Sequence, residues 1–329
     1  MTTRTQLRGT IVALCGGVGG AKLALGLARV LPPGRLVLVV NTGDDFEHLG
    51  LHISPDIDTV LYTLAGLNNP ETGWGRRGET WNFMAAMESL GSETWFRLGD
   101  ADLAIHVERT RRLAAGESLT QITRDFAERL GVAAELLPMA DDPVRTMLET
   151  DMGVLPFQHY FVRLRCAPKV RRIWFQGAET ARPNSALMRL FADDLVDAIV
   201  ICPSNPFLSV DPILSMPPLR AALESTSAPI VAVSPLIARR AVKGPTTKIM
   251  AEFGFEPTQR KIVEHYRGLI DGLVIDDADR DEAHGLGLAV EVTRTLMLDL
   301  DDREALARRA LAFAARIGPR VGGRVTHAR

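Results

Sequence analysis

The fold of this chain is decided by the stretch Gly16-Gly17-Val18-Gly19-Gly20-Ala21-Lys22, which directly follows the apolar run at residues 11–15. Leucines recur after it with helical spacing, so the sequence predicts a strand, a glycine-rich turn and a helix. A helix N-terminus offers unpaired N–H groups and a positive dipole end to an anion, and glycines let a phosphate approach the backbone. We therefore predict a phosphate-binding loop formed by Gly16, Gly17, Gly19, Gly20 and Lys22.

The spacing of these glycines excludes the two commonest phosphate-binding fingerprints. The dinucleotide fingerprint requires a third glycine at the position that Lys22 occupies when the count starts at Gly17. The P-loop requires Gly-Lys followed by Ser or Thr, but Ala21 separates Gly20 from Lys22 and Leu23 follows. The loop is typical of a phosphate cradle of another family. The alternative is a tight turn that binds nothing, although such a turn needs fewer glycines.

The composition is that of an ordinary globular protein, with 329 residues, 46% of them hydrophobic and 24% charged. The net charge of −2 gives no electrostatic basis for binding nucleic acid, and no apolar run is long enough to predict a membrane span. The cysteines Cys15, Cys166 and Cys202 are far apart, which argues against a disulfide framework. We expect free thiols and a cytoplasmic protein.

Short apolar runs recur along the chain and predict buried parallel strands, at residues 11–15, 36–40, 198–202, 229–233 and 273–275. The predicted fold class is α/β, a Rossmann-like three-layer core with a mostly parallel sheet and an inserted, partly helical subdomain. We assign residues 1–100 and 181–329 to the core and 101–180 to the insertion. In the insertion, residues 160–165 and 171–175 alternate and predict half-buried strands, and residues 95–99 predict a short strand just before it.

An acidic segment follows the second predicted strand. Asp44 and Asp45 come at the end of that strand, where open α/β sheets place their ligands. Asp56 and Asp58 come in the first turn of a predicted helix with Ser54 as N-cap. Capping alone explains Asp56 well but Asp44 poorly. Hard oxygen ligands favour Mg²⁺ or a similar divalent cation, so we predict a metal site formed by Asp44, Asp45, Asp56 and Asp58.

Polar residues elsewhere mark further candidate contacts. Trp74 stands between two glycines, which indicates a mobile or stacking element, and Asp100 follows the short strand predicted at 95–99. Ser204 and Asn205 follow another predicted strand, where they either bind a base or phosphate or cap the next helix. His106 lies on one helical face with Asp102, as a ligand contact or as a surface pair.

Taken in order, these motifs resemble the 2-phospho-L-lactate transferase family, which makes the deazaflavin coenzyme F-420. The resemblance rests on eight motifs between residues 11 and 277: Gly16–Lys22 as quoted, Asn41-Thr42-Gly43-Asp44-Asp45, Pro55-Asp56-Ile57-Asp58-Thr59, Gly73-Trp74-Gly75, Leu98-Gly99-Asp100, Pro203-Ser204-Asn205-Pro206, Val233-Ser234-Pro235 and Lys243-Gly244-Pro245.

The resemblance implies a transferase with two substrates. The donor is a guanosine diphosphate conjugate of a hydroxy acid, and the acceptor is Fo, a deazaflavin alcohol. The ribityl hydroxyl of Fo attacks the phosphorus next to the acid, and GMP leaves. The transferred group is 2-phospho-L-lactyl, phosphoenolpyruvyl or 3-phosphoglyceryl, and the sequence does not distinguish these three. A homodimer is the default expectation.

The resemblance and the chemistry together assign roles to the candidate residues. The glycine loop and Lys22 hold the diphosphate, and the four aspartates hold Mg²⁺. One of Asp45, Asp56 and Asp58 also positions or deprotonates the attacking hydroxyl. The remaining candidates contact Fo or guanosine, and they are Thr42, Trp74, Asp100, Ser204, Asn205 and Lys243. Trp95, together with Trp74, borders the flat deazaflavin. Which of these residues serve Fo and which serve guanosine stays open.

Two other functions compete with this interpretation. The first is a non-catalytic regulatory protein of the same fold that binds nucleotide-sugars. The acidic set disfavours it, because a metal-dependent transferase requires those acids and a passive binder does not. The second is a nicotinamide-dependent oxidoreductase, which the missing dinucleotide fingerprint disfavours.

Overall fold

The computed structural model describes residues 7–320 of the chain. Its strands are β1 (Thr10–Cys15), β2 (Leu36–Val40), β3 (Phe46–His48), β4 (Leu51–Ile53), β5 (Glu135–Pro138), β6 (Arg145–Thr150), β7 (Gly153–Pro156), β8 (Val170–Gln176), β9 (Val196–Ile201), β10 (Ile230–Val233), β11 (Leu236–Ile237), β12 (Arg240–Ala241), β13 (Gly272–Ile275) and β14 (Ala289–Val292).

The α-helices are α1 (Gly17–Val30), α2 (Pro55–Leu64), α3 (Asn82–Ser89), α4 (Asp100–Ala114), α5 (Leu119–Arg129), α6 (Ser185–Ala192), α7 (Asp211–Leu214), α8 (Pro217–Ser225), α9 (Thr246–Glu252), α10 (Gln259–His265) and α11 (Leu300–Ile317). Single π-helical turns occur at His159–Arg163 and Pro206–Val210, and a 3₁₀ segment at Asp277–Ala283.

Seven strands form the central sheet in the order β14-β13-β10-β9-β1-β2-β5, and all neighbouring pairs run parallel. The five predicted buried strands are confirmed as β1, β2, β9, β10 and β13. From β1 the chain goes to β2 on one side and later returns to β9 on the other. The order therefore reverses between β1 and β9, and open α/β sheets bind ligands outside the carboxyl ends of the strands at such a point. The glycine loop follows β1 there.

The central sheet is buried on both faces, which confirms the three-layer architecture. Side chains of β1 alternate between two hydrophobic cores, because successive residues of a strand point to opposite faces. Val12 and Leu14 belong to the core that also contains Leu219 of α8. Ile11 and Ala13 belong to the core that α1, α2, α5 and α11 cover.

The predicted insertion at 101–180 is too broad. Strand β5 pairs with β2 at the edge of the central sheet, and Ile122 and Phe126 of α5 belong to one of the two main cores. The part outside the central sheet is a three-stranded antiparallel sheet, β7-β6-β8. The strand predicted at 171–175 is confirmed as β8. The strands predicted at 160–165 and 95–99 are wrong, because the first is a π-helical turn and the second has no regular structure.

All three cysteines are free thiols, as predicted, and Cys15 and Cys202 are buried. Within residues 7–320, no helix is both long enough and apolar enough to cross a bilayer.

Candidate active site

Two glycines of the loop are required by a close contact with the segment that leaves β9. A Cβ at position 19 would lie 2.4 Å from the carbonyl oxygen of Pro203, and a Cβ at position 20 would lie 2.5 Å from Oγ of Ser204. Both separations are far below any van der Waals contact. Gly19 and Gly20 therefore let α1 begin against the exit of β9, at the reversal point of the sheet.

The other two glycines face the acidic segment and open space. A Cβ at position 16 would lie 2.4 Å from Oδ2 of Asp56. Gly17 has φ of +62°, which glycine adopts without strain. Its nearest neighbour would be Oγ of Ser209 at 4.0 Å, so an open face of the loop is left at this residue. No side chain within residues 7–320 accepts a hydrogen bond from the N–H of Val18 or Gly19. These two N–H groups of the first turn of α1 therefore lack a side-chain partner in the described protein.

Ser204 holds the glycine loop by two hydrogen bonds to the backbone of Gly16. Its hydroxyl accepts a hydrogen bond from the N–H of Gly16 at 3.1 Å and donates one to the carbonyl of Gly16 at 2.8 Å. Ser204 is buried, so this use of its hydroxyl replaces the predicted contact with a ligand. Asn205 caps the following turn, because its Oδ1 accepts from the N–H groups of Phe207 and Leu208. Its buried Nδ2 has no partner in the described part of the chain and is available to a ligand.

Asp56 joins the glycine loop to the acidic segment. Its Oδ1 accepts from the N–H of Gly17 at 2.8 Å, and its Oδ2 accepts from Nδ2 of Asn41 at 2.9 Å. Burial raises the pKa of Asp56 to about 6, against the opposing effect of these two hydrogen bonds. Both oxygens are therefore committed to the protein, which leaves Asp56 little capacity as the metal ligand or base predicted from the sequence.

Asp45 is held by residues of the next strand and helix. Its Oδ2 accepts from the hydroxyl of Ser54 at 2.8 Å and lies 3.2 Å from Nε2 of His52. Ser54 is the N-cap residue of α2, as predicted, but its side chain makes no capping bond and its hydroxyl donates to Asp45 instead. The second oxygen of Asp45, Oδ1, is buried and has no partner within residues 7–320.

Asp44 is the other acid with an unused oxygen. Its Oδ1 is buried without a partner in the described chain, as are the hydroxyls of Thr42 and Thr146. Burial, followed by the negative charge of Asp56, raises the pKa of Asp44 well above its ordinary value. A buried carboxylate oxygen without a partner is costly, and a cation beside Asp44 and Asp45 would remove that cost. These residues fit a divalent cation.

The predicted four-aspartate metal cage is not formed. No group of three or more His, Cys, Asp or Glu side chains between residues 7 and 320 is arranged to hold a metal ion. Mg²⁺ commonly takes one or two carboxylates and completes its shell with water and substrate phosphates. Of the four aspartates, Asp44 and Asp45 are the two with a buried carboxylate oxygen that has no partner within residues 7–320.

Asp58 is committed to a buried ion pair. Both of its oxygens accept from the guanidinium of Arg109, one of them at 3.1 Å, and Arg109 is only 1% exposed. Nδ1 of His106 lies 3.7 Å from the same carboxylate. We therefore correct the assignment of Asp58 as a metal ligand and catalytic residue, because both of its oxygens are engaged by a buried guanidinium whose positive charge would repel a cation.

His106 extends this network away from the site. Its Nε2 lies 3.2 Å from Asp102, and the hydroxyl of Tyr62 donates to the same carboxylate. The predicted pair of His106 and Asp102 is confirmed as a contact, and the contact is buried within the protein. Sequence analysis missed Arg109 as the partner of Asp58. The spacing of Arg109 from His106 and Asp102 could have indicated this role, because it places all three side chains on one face of α4.

Lys243 and the Trp74 loop lie against the glycine loop. A Cβ at Gly73 would lie 2.7 Å from Cγ1 of Val18 and 3.2 Å from Nζ of Lys243. Nζ of Lys243 donates to the carbonyl of Thr72 at 2.8 Å, and Trp74 is 54% exposed. Lys243 and the segment that carries Trp74 therefore lie next to the glycine loop, the position predicted for residues of the site.

Two predicted contacts have other partners. Asp100 accepts from the hydroxyl of Thr80 and from the N–H groups of Asn82 and Phe83, and these bonds lower its pKa. It thus caps α3. Trp95 packs in an aromatic cluster, with ring centroids 5.0 Å from His48 and 4.9 Å from His159.

Comparison with known proteins matches this chain over most of its length. The family model described as 2-phospho-L-lactate transferase CofD matches residues 11–314. A phosphoenolpyruvate transferase of Kitasatospora aureofaciens is 39% identical over 317 residues, which cover 93% of this chain and 98% of that protein. A 2-phospho-L-lactate transferase of Methanopyrus kandleri is 40% identical over 306 residues, which cover 92% of this chain and 96% of that protein.

Among solved structures, a member of the UPF0052 family from Bacillus halodurans aligns with a TM-score of 0.60 at 13% identity. The alignment covers 92% of this chain and 99% of that one. At this level of identity the likeness shows the α/β fold alone.

Proposed function

This chain belongs to the 2-phospho-L-lactate transferase CofD family and is a transferase, and on that premise we propose its two substrates. The donor is a guanosine diphosphate conjugate of a hydroxy acid, and the acceptor is the ribityl hydroxyl of Fo. The acceptor O–H bond breaks, a new O–P bond forms at the phosphorus next to the acid, and the bond to GMP breaks. The product is a phosphodiester between Fo and the acid.

The observation that carries this proposal is the pair of unpartnered carboxylate oxygens beside the glycine loop. Oδ1 of Asp44 and Oδ1 of Asp45 are buried and without partners among the described residues. Asp56, which bonds to Gly17 of the loop, is close enough to Asp44 to raise its pKa. Phosphate binding and acidic groups are thus combined in one site, as phosphoryl-type transfer requires.

Different residues of the site bind the donor, orient the acceptor and contact the rings of the two substrates. The glycine loop, Lys22 and Lys243 bind and orient the donor diphosphate. Asp45, fixed by Ser54, orients the acceptor hydroxyl and accepts its proton at Oδ1. Asn205 offers its free Nδ2 to guanosine, and Trp74 offers a ring face to a flat ligand.

We propose that Asp44 holds Mg²⁺, which when bound would neutralise negative charge on the donor and make the acceptor hydroxyl more acidic, and that Oδ1 of Asp45 stays free to accept the proton. A homodimer stays a prediction, and the acid carried by the donor is open. Relatives named for phosphoenolpyruvate and for phospholactate are about equally similar to this chain.

A direct experiment offers Fo and each of the three donor conjugates to the purified protein with Mg²⁺. Mass spectrometry identifies the product, and chromatography measures GMP. We expect one donor to be strongly preferred. Asp45→Asn should lower the rate at least about a hundredfold. Its matched control is Asp277→Asn, an exposed acid after another strand, which should retain full activity.

Failure of every donor to react with Fo would contradict the proposal. If the folded protein instead bound nucleotide-sugars without turnover, the non-catalytic regulatory function would replace the proposed one.

A further inference from the structure

Three cationic side chains lie near α1, the helix that follows the glycine loop. They are Lys22 on α1, Lys243 before α9 and Arg303 in the first turn of α11. None of the three forms an ion pair within residues 7–320. Burial, and then the nearby charges of Arg303 and Lys243, lower the pKa of Lys22, so both cations lie close to Lys22. We name them the cation triad.

Packing between α1 and α11 fixes the position of Arg303. A Cβ at Gly26 would lie 2.2 Å from the carbonyl oxygen of Arg303, so the two helices touch at this point. Nζ of Lys22 donates to the carbonyl of Met297 at 2.8 Å, just before α11 begins. The start of α11 therefore lies alongside the first turns of α1.

The arginine itself has unused capacity. Nε of Arg303 is buried and has no partner in the described part of the chain. Asp299 lies near Arg303 and Asp302 lies near Lys22, but each uses an oxygen at the start of α11: Oδ1 of Asp299 accepts from the N–H of Asp302, and Oδ2 of Asp302 accepts from the N–H of Leu298. A buried donor on a charged group is expensive to leave unpaired, so the free protein carries a cost that an anion would relieve.

Other arginines of the same helix behave differently. Arg308 pairs with Glu304, and both Arg309 and Arg316 reach Glu291. These three are exposed and neutralised. Among the arginines of α11, Arg303 alone lacks an acidic partner within residues 7–320.

We propose that Arg303 is a third cation of the anion site and binds the diphosphate of the guanosine donor together with Lys22 and Lys243. Lys243 connects the triad to the loop, because its Nζ lies beside Gly73, which packs on Val18. A guanidinium matches a phosphate with two parallel donors, which a lysine cannot do. The identity of the ligand rests on the proposed function, and α11 becomes part of the substrate site.

The test compares GDP binding by calorimetry for the wild-type chain, Arg303→Gln and Arg309→Gln. We expect Arg303→Gln to weaken GDP at least about tenfold and to reduce the salt dependence of binding, because one screened charge pair is lost. Arg309→Gln is the matched control on the same helix and should bind GDP like the wild type. Arg303→Lys should recover part of the affinity, since the charge returns without the paired donors.

Thermal unfolding separates a binding role from a structural one. In the free protein, Arg303→Gln should keep or raise Tm, because it removes repulsion next to Lys22. A lower Tm with unchanged GDP affinity would assign Arg303 to packing and overturn the proposal.

The two levels of the hypothesis fail in different ways. Wild-type GDP binding that Arg303→Gln leaves unchanged would overturn the triad and leave the transferase function intact. GDP binding that depends on Arg303, without transfer to Fo, would support the triad and contradict the proposed reaction. No GDP binding by the wild type would overturn both.

Discussion

Oδ1 of Asp56 accepts the N–H of Gly17 at 2.8 Å, and this bond joins the first turn of α2 to the first residue of α1. A carboxylate normally stabilises a helix N-terminus from within the same helix, but this one serves two helices at once. The glycine loop and the acidic segment are therefore one structural unit. Asp56 is a positioning residue, and the acids with oxygens left for ligands are Asp44 and Asp45.

Gly19→Ala should lower the free energy of unfolding by about 1–3 kcal/mol, as overpacking does. The added methyl would lie 2.4 Å from a backbone oxygen of Pro203, which cannot rotate away. Urea unfolding measures the loss. Gly50→Ala is the control: its φ is +74° and no atom lies within 4 Å, so only backbone strain of about 1 kcal/mol is expected. Equal losses in the two variants would contradict the close contact between α1 and the exit of β9.

Asp58→Asn should destabilise the protein by about 3–5 kcal/mol, because it leaves the buried guanidinium of Arg109 without a charge partner. Chemical denaturation provides the measurement. The double variant Asp58→Asn/Arg109→Met should recover part of the loss, since the unpaired charge is gone. If Asp58→Asn kept wild-type stability and lost only transfer, the catalytic role that the sequence suggested for Asp58 would be restored.

Stability of the metal-free protein should fall as pH rises through about 6. The pKa of Asp56 is raised to about 6 in the folded state, so the folded protein holds this proton more tightly than the unfolded chain does. The contribution is present in full below the unfolded pKa and is lost above the folded one. Its size is about 3 kcal/mol, from the difference between about 6 and 3.8. Asp44, whose pKa is also raised, acts in the same direction.

Urea unfolding in EDTA across pH 4 to 7.5 checks this dependence. Asp56→Asn should flatten the curve, because it removes the titrating group. A wild-type stability that is constant or increases over this interval would show that Asp56 is not held with a raised pKa.

Asp44→Asn should raise Tm of the metal-free protein at pH 7.5, since it removes a buried charge whose Oδ1 has no partner among the described residues. The same change should abolish the increase in Tm that Mg²⁺ gives to the wild type, because a ligand that binds only the folded state stabilises it. Differential scanning fluorimetry with and without Mg²⁺ measures both effects. Asp277→Asn should retain the wild-type response, and a Mg²⁺ shift that survives in Asp44→Asn would remove Asp44 from the metal site.

The local pattern of apolar residues and glycines was sufficient to predict the main strands of the sheet and the edge at which the candidate site lies. Continuous apolar runs predict buried parallel strands wherever they occur, and β1, β2, β9, β10 and β13 are confirmed. Four glycines in five residues predict a close approach after β1, and the contact of Gly19 with Pro203 supplies it. The edge strands β5 and β14 escaped prediction, because Glu135 and Pro138 in β5 and Glu291 in β14 interrupt a continuous apolar run.

The sequence by itself determined which residues lie near the ligand edge of the sheet, because burial and turn chemistry are written in neighbouring positions. Only the tertiary structure decided how the aspartates divide their work. Asp58 meets Arg109 from 51 residues away, whereas Asp56 meets Gly17 from 39. Such partners depend on how helices pack across the sheet. The sequence does not distinguish an aspartate whose oxygens accept hydrogen bonds within the protein from one whose oxygens lack partners. The oxygens of Asp44 and Asp45 and the Nε of Arg303 that have no partner within residues 7–320 become buried only when the chain folds.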